Sequence, residues 1–248
     1  DWSSDVCSSD LVAYALGLTG PAVAVQTACS SSLVAVCQAA QSLLDFRCDL
    51  AIAGGAAVVS TRQAGYRHRV GGTQAADGVC RPFDAGATGQ VFGNGGGAVV
   101  LKRMHDALED GDQVHAVLAG WAVTNDGADR AGLTVPGVSG QAAAIAEALA
   151  VADWDPAGIG FVECHGSGTP VGDAIEVDAL TRAFRESSAR SEECVLGSVK
   201  SNLGNLDAAA GVVGLIKSVL AVRDGMIPPT LHFSEPHPEV NQIGRAHV

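Results

Sequence analysis

Pro21-Ala-Val-Ala-Val-Gln-Thr-Ala-Cys29-Ser-Ser-Ser-Leu33 changes its period part-way along. Residues 22–25 form a short apolar run of the kind that makes a buried strand. After a break of small residues, Leu33, Val36, Cys37, Ala40, Leu43 and Leu44 recur at i, i+3, i+4 spacing, which predicts a helix. Cys29 lies on the turn between them. A strand–turn–helix elbow points such a side chain outward and holds it at a helix N-terminus. Free N–H groups and the helix dipole there favour a thiolate, so the thiol pKa is expected below its free value of about 8.5. Of the seven cysteines in the chain, Cys29 is the one whose setting predicts a nucleophile.

Outward from this elbow, strand and helix signals alternate. Leu50-Ala-Ile-Ala-Gly-Gly55 is a second short apolar run. Phe92-Gly-Asn-Gly-Gly-Gly97 leads into the strand-like Ala98-Val-Val-Leu-Lys102, and residues 115–123 alternate apolar and polar like a strand. Residues 141–151 predict a helix, Ile159-Gly-Phe-Val-Glu-Cys164 a strand, and Asp173 a cap for a helix over residues 174–184. Val195-Leu-Gly-Ser-Val-Lys200 predicts another strand. A long small-residue helix follows over residues 206–222, with Gly225 just past its end. The alternation implies α/β layering around a sheet. The glycine-rich segment at residues 93–97 opens onto a strand rather than a helix, so it reads as tight backbone packing and not as a phosphate loop.

Composition narrows the function classes. The chain has 248 residues, 47% hydrophobic, only 4% aromatic, with 31 Gly, which suits a closely packed α/β core. A net charge of −12 argues against nucleic-acid binding. No apolar stretch approaches the roughly 20 residues of a membrane helix, and no basic start followed by an apolar run suggests a signal peptide. Scattered cysteines without a CxxC pair point to a reducing, cytoplasmic setting, with no disulfide framework and no metal site. Arg62, Arg67 and Arg69 form a small basic cluster, read as solvated surface, with docking of an acidic carrier protein as the alternative.

Three loops carry polar groups where a strand gives way to a helix: Thr27-Ala-Cys29-Ser-Ser, His165-Gly-Ser-Gly-Thr169 and Lys200-Ser-Asn-Leu-Gly-Asn205. Loops at strand ends are where α/β folds build sites. With Cys80-Arg-Pro-Phe-Asp84, Asn125-Asp-Gly127, Glu163-Cys-His-Gly-Ser-Gly-Thr-Pro-Val-Gly-Asp-Ala-Ile-Glu176 and Ser198-Val-Lys-Ser-Asn-Leu-Gly-Asn-Leu-Asp-Ala-Ala-Ala-Gly211, the chain resembles a β-ketoacyl synthase. More specifically, it is similar to the ketosynthase domain of a modular polyketide synthase or a polyketide/nonribosomal-peptide hybrid. The motifs run in order over residues 12–240.

The resemblance implies a thiolase-like α/β fold in five layers, α/β/α/β/α, incomplete at both ends here, and usually a homodimer. It also implies a decarboxylative Claisen condensation. Cys29 would take an acyl chain from an acyl carrier protein. A malonyl-type extender would then lose carbon dioxide and attack the acyl thioester. Substrates ride on the carrier's phosphopantetheine, with no cofactor bound directly. His165 would donate to the extender thioester carbonyl, and Lys200 would support the site electrostatically. Ser167 and Thr169 would hydrogen-bond the phosphopantetheine arm.

Asn205 departs from the family pattern, which has a second histidine there. Asparagine keeps an N–H donor but cannot store a proton. If the position serves oxyanion donation, condensation survives. If it serves proton handling, worth about 10²–10⁴-fold in general acid–base catalysis, a non-elongating acyl-transfer or gating module results. A degradative thiolase acting on coenzyme A thioesters is a further alternative, disfavoured by the His165 and Lys200 loops. Residues 1–10 and 241–248 break abruptly from their neighbours and read as non-native scar and tail around a partial ketosynthase domain at residues 11–240. The longer family domain also leads to the expectation that this polypeptide is inactive or poorly folded alone.

Overall fold

Helical spacing of small apolar residues, and a strand-forming run of Ala, Gly and Val, set the first pair of layers. The computed structural model describes residues 8–58, 65–132, 135–187 and 194–240. Arg62 and the tail at residues 241–248 lie outside them. Helix α1 (Ser8–Leu16) fully buries no side chain and straddles the boundary expected at residue 10. Helix α2 (Ser31–Leu44) buries Val36, Cys37, Ala40 and Leu43, the predicted stripe. Leu33 and Leu44, at its margins, stay exposed.

Strand β1 (Leu50–Ala57) pairs antiparallel with β2 (Gly95–Lys102), from Leu50↔Lys102 to Ala57↔Gly95. Successive side chains point to opposite faces. The face carrying Ala53, Gly55 and Ala57 packs on α2 and on the turn at residues 207–209. After β2 come α3 (Met104–Glu109) and α4 (Val138–Ala152), the latter matching the predicted helix. Strand β3 (Phe161–Glu163) leads to α5 (Pro170–Ser187), and β4 (Val195–Gly197) pairs parallel with β3. A short helix α6 (Lys200–Leu203) and a long one, α7 (Ala210–Asp224), complete the order, with Gly225 left-handed at the end of α7.

The faces of β3 and β4 fix the layering. Leu196 and Val162 join Phe83, Cys164, Val177, Leu180 and Cys194 in the main core, against α5. Ala142, Ala179 and Ala183 let α4 lie close along α5. On the opposite face Glu163 meets α7, where its Oε2 is 2.6 Å from Lys217 Nζ. Helix α7 also covers β2, where a Cβ at Gly97 would meet Ile216 and Val212. The layers therefore run α4/α5, β3–β4, α7/α2, β1–β2, an α/β/α/β order. The fifth, helical layer is not among the described residues, and Leu50, Ile52 and Val100 stand exposed on the outer face of β1–β2.

Three expected elements differ. Residues 22–25 form no strand, and Val23 is 60% exposed. A strand needs a ladder partner for its N–H and C=O groups, and none of the described residues lies alongside. Residues 115–123 are likewise unpaired, and Gly120 rests on α4 instead of another strand. Asp173 is not an N-cap, because α5 starts earlier, at Pro170, where the missing N–H of proline is no loss.

The Cys80–Asp84 motif anchors the end of the described chain. Asp84 Oδ2 accepts from Ser234 N at 2.7 Å, Ser234 Oγ at 2.9 Å and Glu235 N at 3.1 Å. Burial opposes ionisation of Asp84, but these donors and Gly86 N win and hold its carboxyl below the usual carboxylate range. Replacing Leu196, 2% exposed at the centre of the core, tests the assignment of β4. Leu196→Ala is expected to destabilise the chain by about 2–5 kcal/mol in urea unfolding, and a cost under about 1 kcal/mol would refute its core position.

Candidate active site

Cys29 sits one residue before Ser30, the N-cap of α2, on a turn forced through Ala28 at φ 54°. A left-handed alanine is strained, and such strain is characteristic of a nucleophile elbow. The turn into α2 is as predicted, but the strand before it does not form and the thiol differs too. Burial pushes the half-buried Cys29 thiol above its ordinary value. The amide of Asn205 and, less strongly, Lys200 oppose the rise, whereas Asp207 adds to it. The helix start gives little help because its first N–H groups are already used. Ser30 N donates to Thr27 O and Ser31 N to Ala28 O.

Asn205 comes to the same place from the other half of the chain. Its Nδ2 lies 3.6 Å from Cys29 Sγ and donates to Gln90 Oε1 at 2.8 Å. Its Oδ1 accepts from Asp207 N at 3.1 Å. The backbone is clamped too: Asn205 N donates to Val91 O at 2.6 Å, and Gly93 N to Asn205 O at 3.0 Å. A Cβ at Gly93 would fall 2.2 Å from Leu203 O, so the glycine-rich segment does serve close backbone packing beside the site. Asn205 is 2% exposed.

His165 follows β3. Its N–H donates to Glu176 Oε1 at 2.5 Å and Gly166 N to Glu176 Oε2 at 2.8 Å. Ser167 N donates to Asp173 Oδ1 at 3.0 Å, and Phe83 N to Asp173 Oδ2 at 2.8 Å. Gly166 has φ 38°, and a Cβ there would lie 2.7 Å from Ser198 Cβ, so both conformation and space demand glycine. His165 is exposed at the surface. The protein around the ring pushes its pKa down to about 4, first by desolvation and then by the charge of Lys200. His165 is therefore neutral at pH 7.

Lys200 opens α6 and is 4% exposed. Burial lowers its pKa, while Glu176, Glu163 and the Cys29 sulfur act to raise it. The same ammonium acts on Cys29 and on His165, so it is the electrostatic link between them. Ser167 Oγ and Thr169 Oγ1 are 2.9 Å apart, the pair of hydroxyls expected from sequence. The structure thus brings Cys29 and Asn205 into contact, and the charge of Lys200 bears on both Cys29 and His165.

Sequence reasoning missed four participants. Gln90 and Asp207 touch the Asn205–Cys29 pair, and Asp173 and Glu176 hold the His165 loop. The two acids lie inside the Glu163–Glu176 motif at i, i+3 on one helix face, and that spacing is the signal that could have found them. Gln90 carries no such signal. Among the described residues, possible metal ligands converge at His105, Asp106 and Glu109 on the surface of α3, and Asp106 there already pairs with Arg103 Nε at 2.6 Å.

Known proteins similar to this chain are numerous. The family model described as the beta-ketoacyl synthase N-terminal domain matches residues 4–107, and the one described as its C-terminal domain matches residues 115–234. One component of the phenolphthiocerol/phthiocerol polyketide synthase of Mycobacterium tuberculosis is 50% identical over 230 residues, 92% of this chain and 16% of that protein. A second component of the same synthase is 47% identical over 230 residues, 93% of this chain and 15% of its own length. Among solved structures, ketosynthase twelve of the Bacillus amyloliquefaciens bacillaene polyketide synthase superimposes with a TM-score of 0.90 at 37% identity, over 93% of this chain and 41% of its own. The ketosynthase from module 1 of the bacillaene synthase of that organism gives a TM-score of 0.88 at 38% identity, over 94% of this chain and 41% of its own. The fold is therefore thiolase-like, as in ketosynthases. The chain spans about a sixth of the curated relatives and about two fifths of the solved domains.

Titrating His165 by ring NMR shifts should give a midpoint near 4, far below its ordinary 6.5. Lys200→Met should raise that midpoint, though only in part, because burial is the larger cause. A depressed histidine pKa contributes stability above about pH 6.5 that is lost as pH falls through about 4. A midpoint at or above 6.5 would overturn the neutral imidazole.

Proposed function

The chain belongs to the β-ketoacyl synthase family, and from that premise we propose that it carries the condensing site of a polyketide-synthase ketosynthase. In this reading the Cys29 sulfur attacks the acyl thioester of an acyl carrier protein and expels the phosphopantetheine thiol. A malonyl-type extender on a carrier loses carbon dioxide, its C–C electrons forming an enolate. The enolate carbon attacks the Cys29 thioester, the new C–C bond forms, the C–S bond breaks, and Cys29 leaves as a thiolate that takes a proton from solvent to restore the thiol. Splitting the reaction through a covalent intermediate replaces one hard step with two easier ones.

The roles follow from protonation states. A neutral His165 donates a ring N–H to the extender carbonyl as it becomes an enolate oxyanion. Asn205 Nδ2 is a second fixed donor, aimed at the sulfur where the acyl chain is carried. Lys200 adds positive charge without touching substrate. Ser167 and Thr169 hold the phosphopantetheine arm, and no cofactor is bound directly. Preorganised donors at a developing oxyanion typically contribute about 10²–10³-fold each.

The observation that carries this reading is the 3.6 Å approach of Asn205 Nδ2 to Cys29 Sγ across 176 residues of sequence. The relatives' identity as ketosynthases and polyketide-synthase components favours condensation over a non-elongating module. We further assign acyl carrier protein and acyl and malonyl-type thioesters as partners, a homodimer as the assembly and the cytoplasm as the compartment. The last is supported by free thiols at Cys29, Cys37, Cys48, Cys80, Cys164 and Cys194. Among the described residues no helix is long and apolar enough to cross a membrane.

To test the function, Cys29 is acylated in the full-length protein that carries this chain, malonyl-loaded carrier is added, and the carrier is followed by intact mass. The β-ketoacyl carrier is expected from the parent and not from Cys29→Ala. Asn205→Ala should slow extension by about 10²-fold or more while leaving acylation of Cys29 detectable. A stable acyl-Cys29 adduct with no extended product in the parent would instead establish the gating module.

A further inference from the structure

Asp207 is the group in direct contact with Cys29 that the condensation chemistry leaves without a task. Cys29 Sγ donates to Asp207 Oδ1 at 3.6 Å, across 178 residues of sequence. Only the thiol can make this bond, since a thiolate has no proton to give and would face a carboxylate. The local backbone is built for the contact. Asp207 has φ 44°, a left-handed conformation costly to most side chains, and its N–H is held by Asn205 Oδ1 at 3.1 Å. Leu206 is the N-cap of the turn at residues 207–209, so the Asp207 side chain is not committed to capping it. Asp207 opens that turn just ahead of α7, and the hydrogen bond its carboxylate makes is to the Cys29 thiol.

We propose that Asp207 is a positioning residue whose carboxylate accepts the Cys29 Sγ–H and keeps the resting nucleophile a thiol, thereby setting the pH at which acylation begins. The proposal rests on the reading of Cys29 as the acyl-accepting nucleophile. The groups facing the sulfur divide into two sets. Burial and Asp207 favour the thiol, and the Asn205 amide and the Lys200 ammonium favour the thiolate. His165 is neutral and adds no charge at pH 7. Asp207 is thus the negative partner in a balance that Lys200 and Asn205 pull the other way. Because the thiolate is the reactive form, the carboxylate restrains Cys29 toward stray electrophiles.

Asparagine and glycine both tolerate the left-handed backbone at this position, so Asp207→Asn and Asp207→Gly should fold. In parent and variants, alkylation by iodoacetamide is followed against pH, with peptide mass assigning the rate at Cys29 and Cys48 as the internal reference. Both variants should lower the Cys29 midpoint by about one pH unit, raising the thiolate fraction about ten-fold below it. The rate should rise by only about three-fold, because a less basic thiolate is a weaker nucleophile. The Cys48 profile should not move. An unchanged or raised Cys29 midpoint in both variants, or equal shifts at Cys29 and Cys48, would overturn the proposal. Failure of the parent to take an acyl group from a carrier would instead overturn the functional reading, which the alkylation profile does not measure.

Discussion

Two carboxylates on the first turns of α5 hold the backbone on which the site is built. Asp173 takes the N–H groups of Phe83, Ser167 and Gly168, and Glu176 takes those of His165 and Gly166. Buried donors without acceptors cost about 1–3 kcal/mol each, so the two loops have no comparable alternative path. The arrangement is itself under tension. Burial, and then Glu176, push the Asp173 carboxyl up to about 7 against its backbone donors, and burial likewise raises Glu176. Lys200 relieves part of this, and Glu163 and Glu176 in turn keep a buried ammonium tolerable. Lys200 and the carboxylates of Glu163 and Glu176 support one another's charges, whereas Asp173 and Glu176 oppose each other.

That charge balance explains why the site lies where two parallel strands end side by side. Strands β3 and β4 deliver the loops at residues 164–169 and 198–205 to one edge, where Ser198 Oγ donates to Gly166 O at 2.9 Å and ties them together. Glu163 spans the next level, accepting Val199 N at 2.6 Å and pairing with Lys217 of α7. Helix α7 is packed on the other sheet as well, so the orientation of α2, and of Cys29 before it, is coupled to the His165 loop through the shared helix layer. A displacement of α7 would be felt at both ends of the reacting group.

Much of this is legible in the residues. The apolar stripe of α2, the small-residue helix α7 and the paired runs of β1 and β2 all obey their periodicities, and the motifs single out Cys29, His165, Lys200 and Asn205. The failures share a cause: they depend on what lies beside a segment rather than within it. Residues 22–25 have strand composition but no neighbour to pair with. An isolated helix terminus predicts a lowered cysteine pKa. Here the N–H groups are consumed by Thr27 and Ala28 carbonyls, and a carboxylate from the distant Asp207 sits against the sulfur. Local pattern gives periodicity and turn chemistry. It gives no account of desolvation or of charges brought in by tertiary packing.

The same tertiary packing decides what an asparagine can do where the family carries histidine. Every polar atom of the Asn205 amide has a partner: Nδ2 reaches Gln90 Oε1 and Cys29 Sγ, and Oδ1 accepts from Asp207 N. The side chain cannot turn over without breaking the Gln90 and Asp207 bonds together. It therefore presents one N–H in one direction and offers no free acceptor for a proton. Oxyanion stabilisation requires a donor fixed before charge develops, and proton shuttling requires a group that changes state. Asn205 meets the first requirement and is barred from the second by both its chemistry and its hydrogen bonds. The charged groups that bear on the Cys29 proton are Asp207, which favours the thiol, and Lys200, which favours the thiolate.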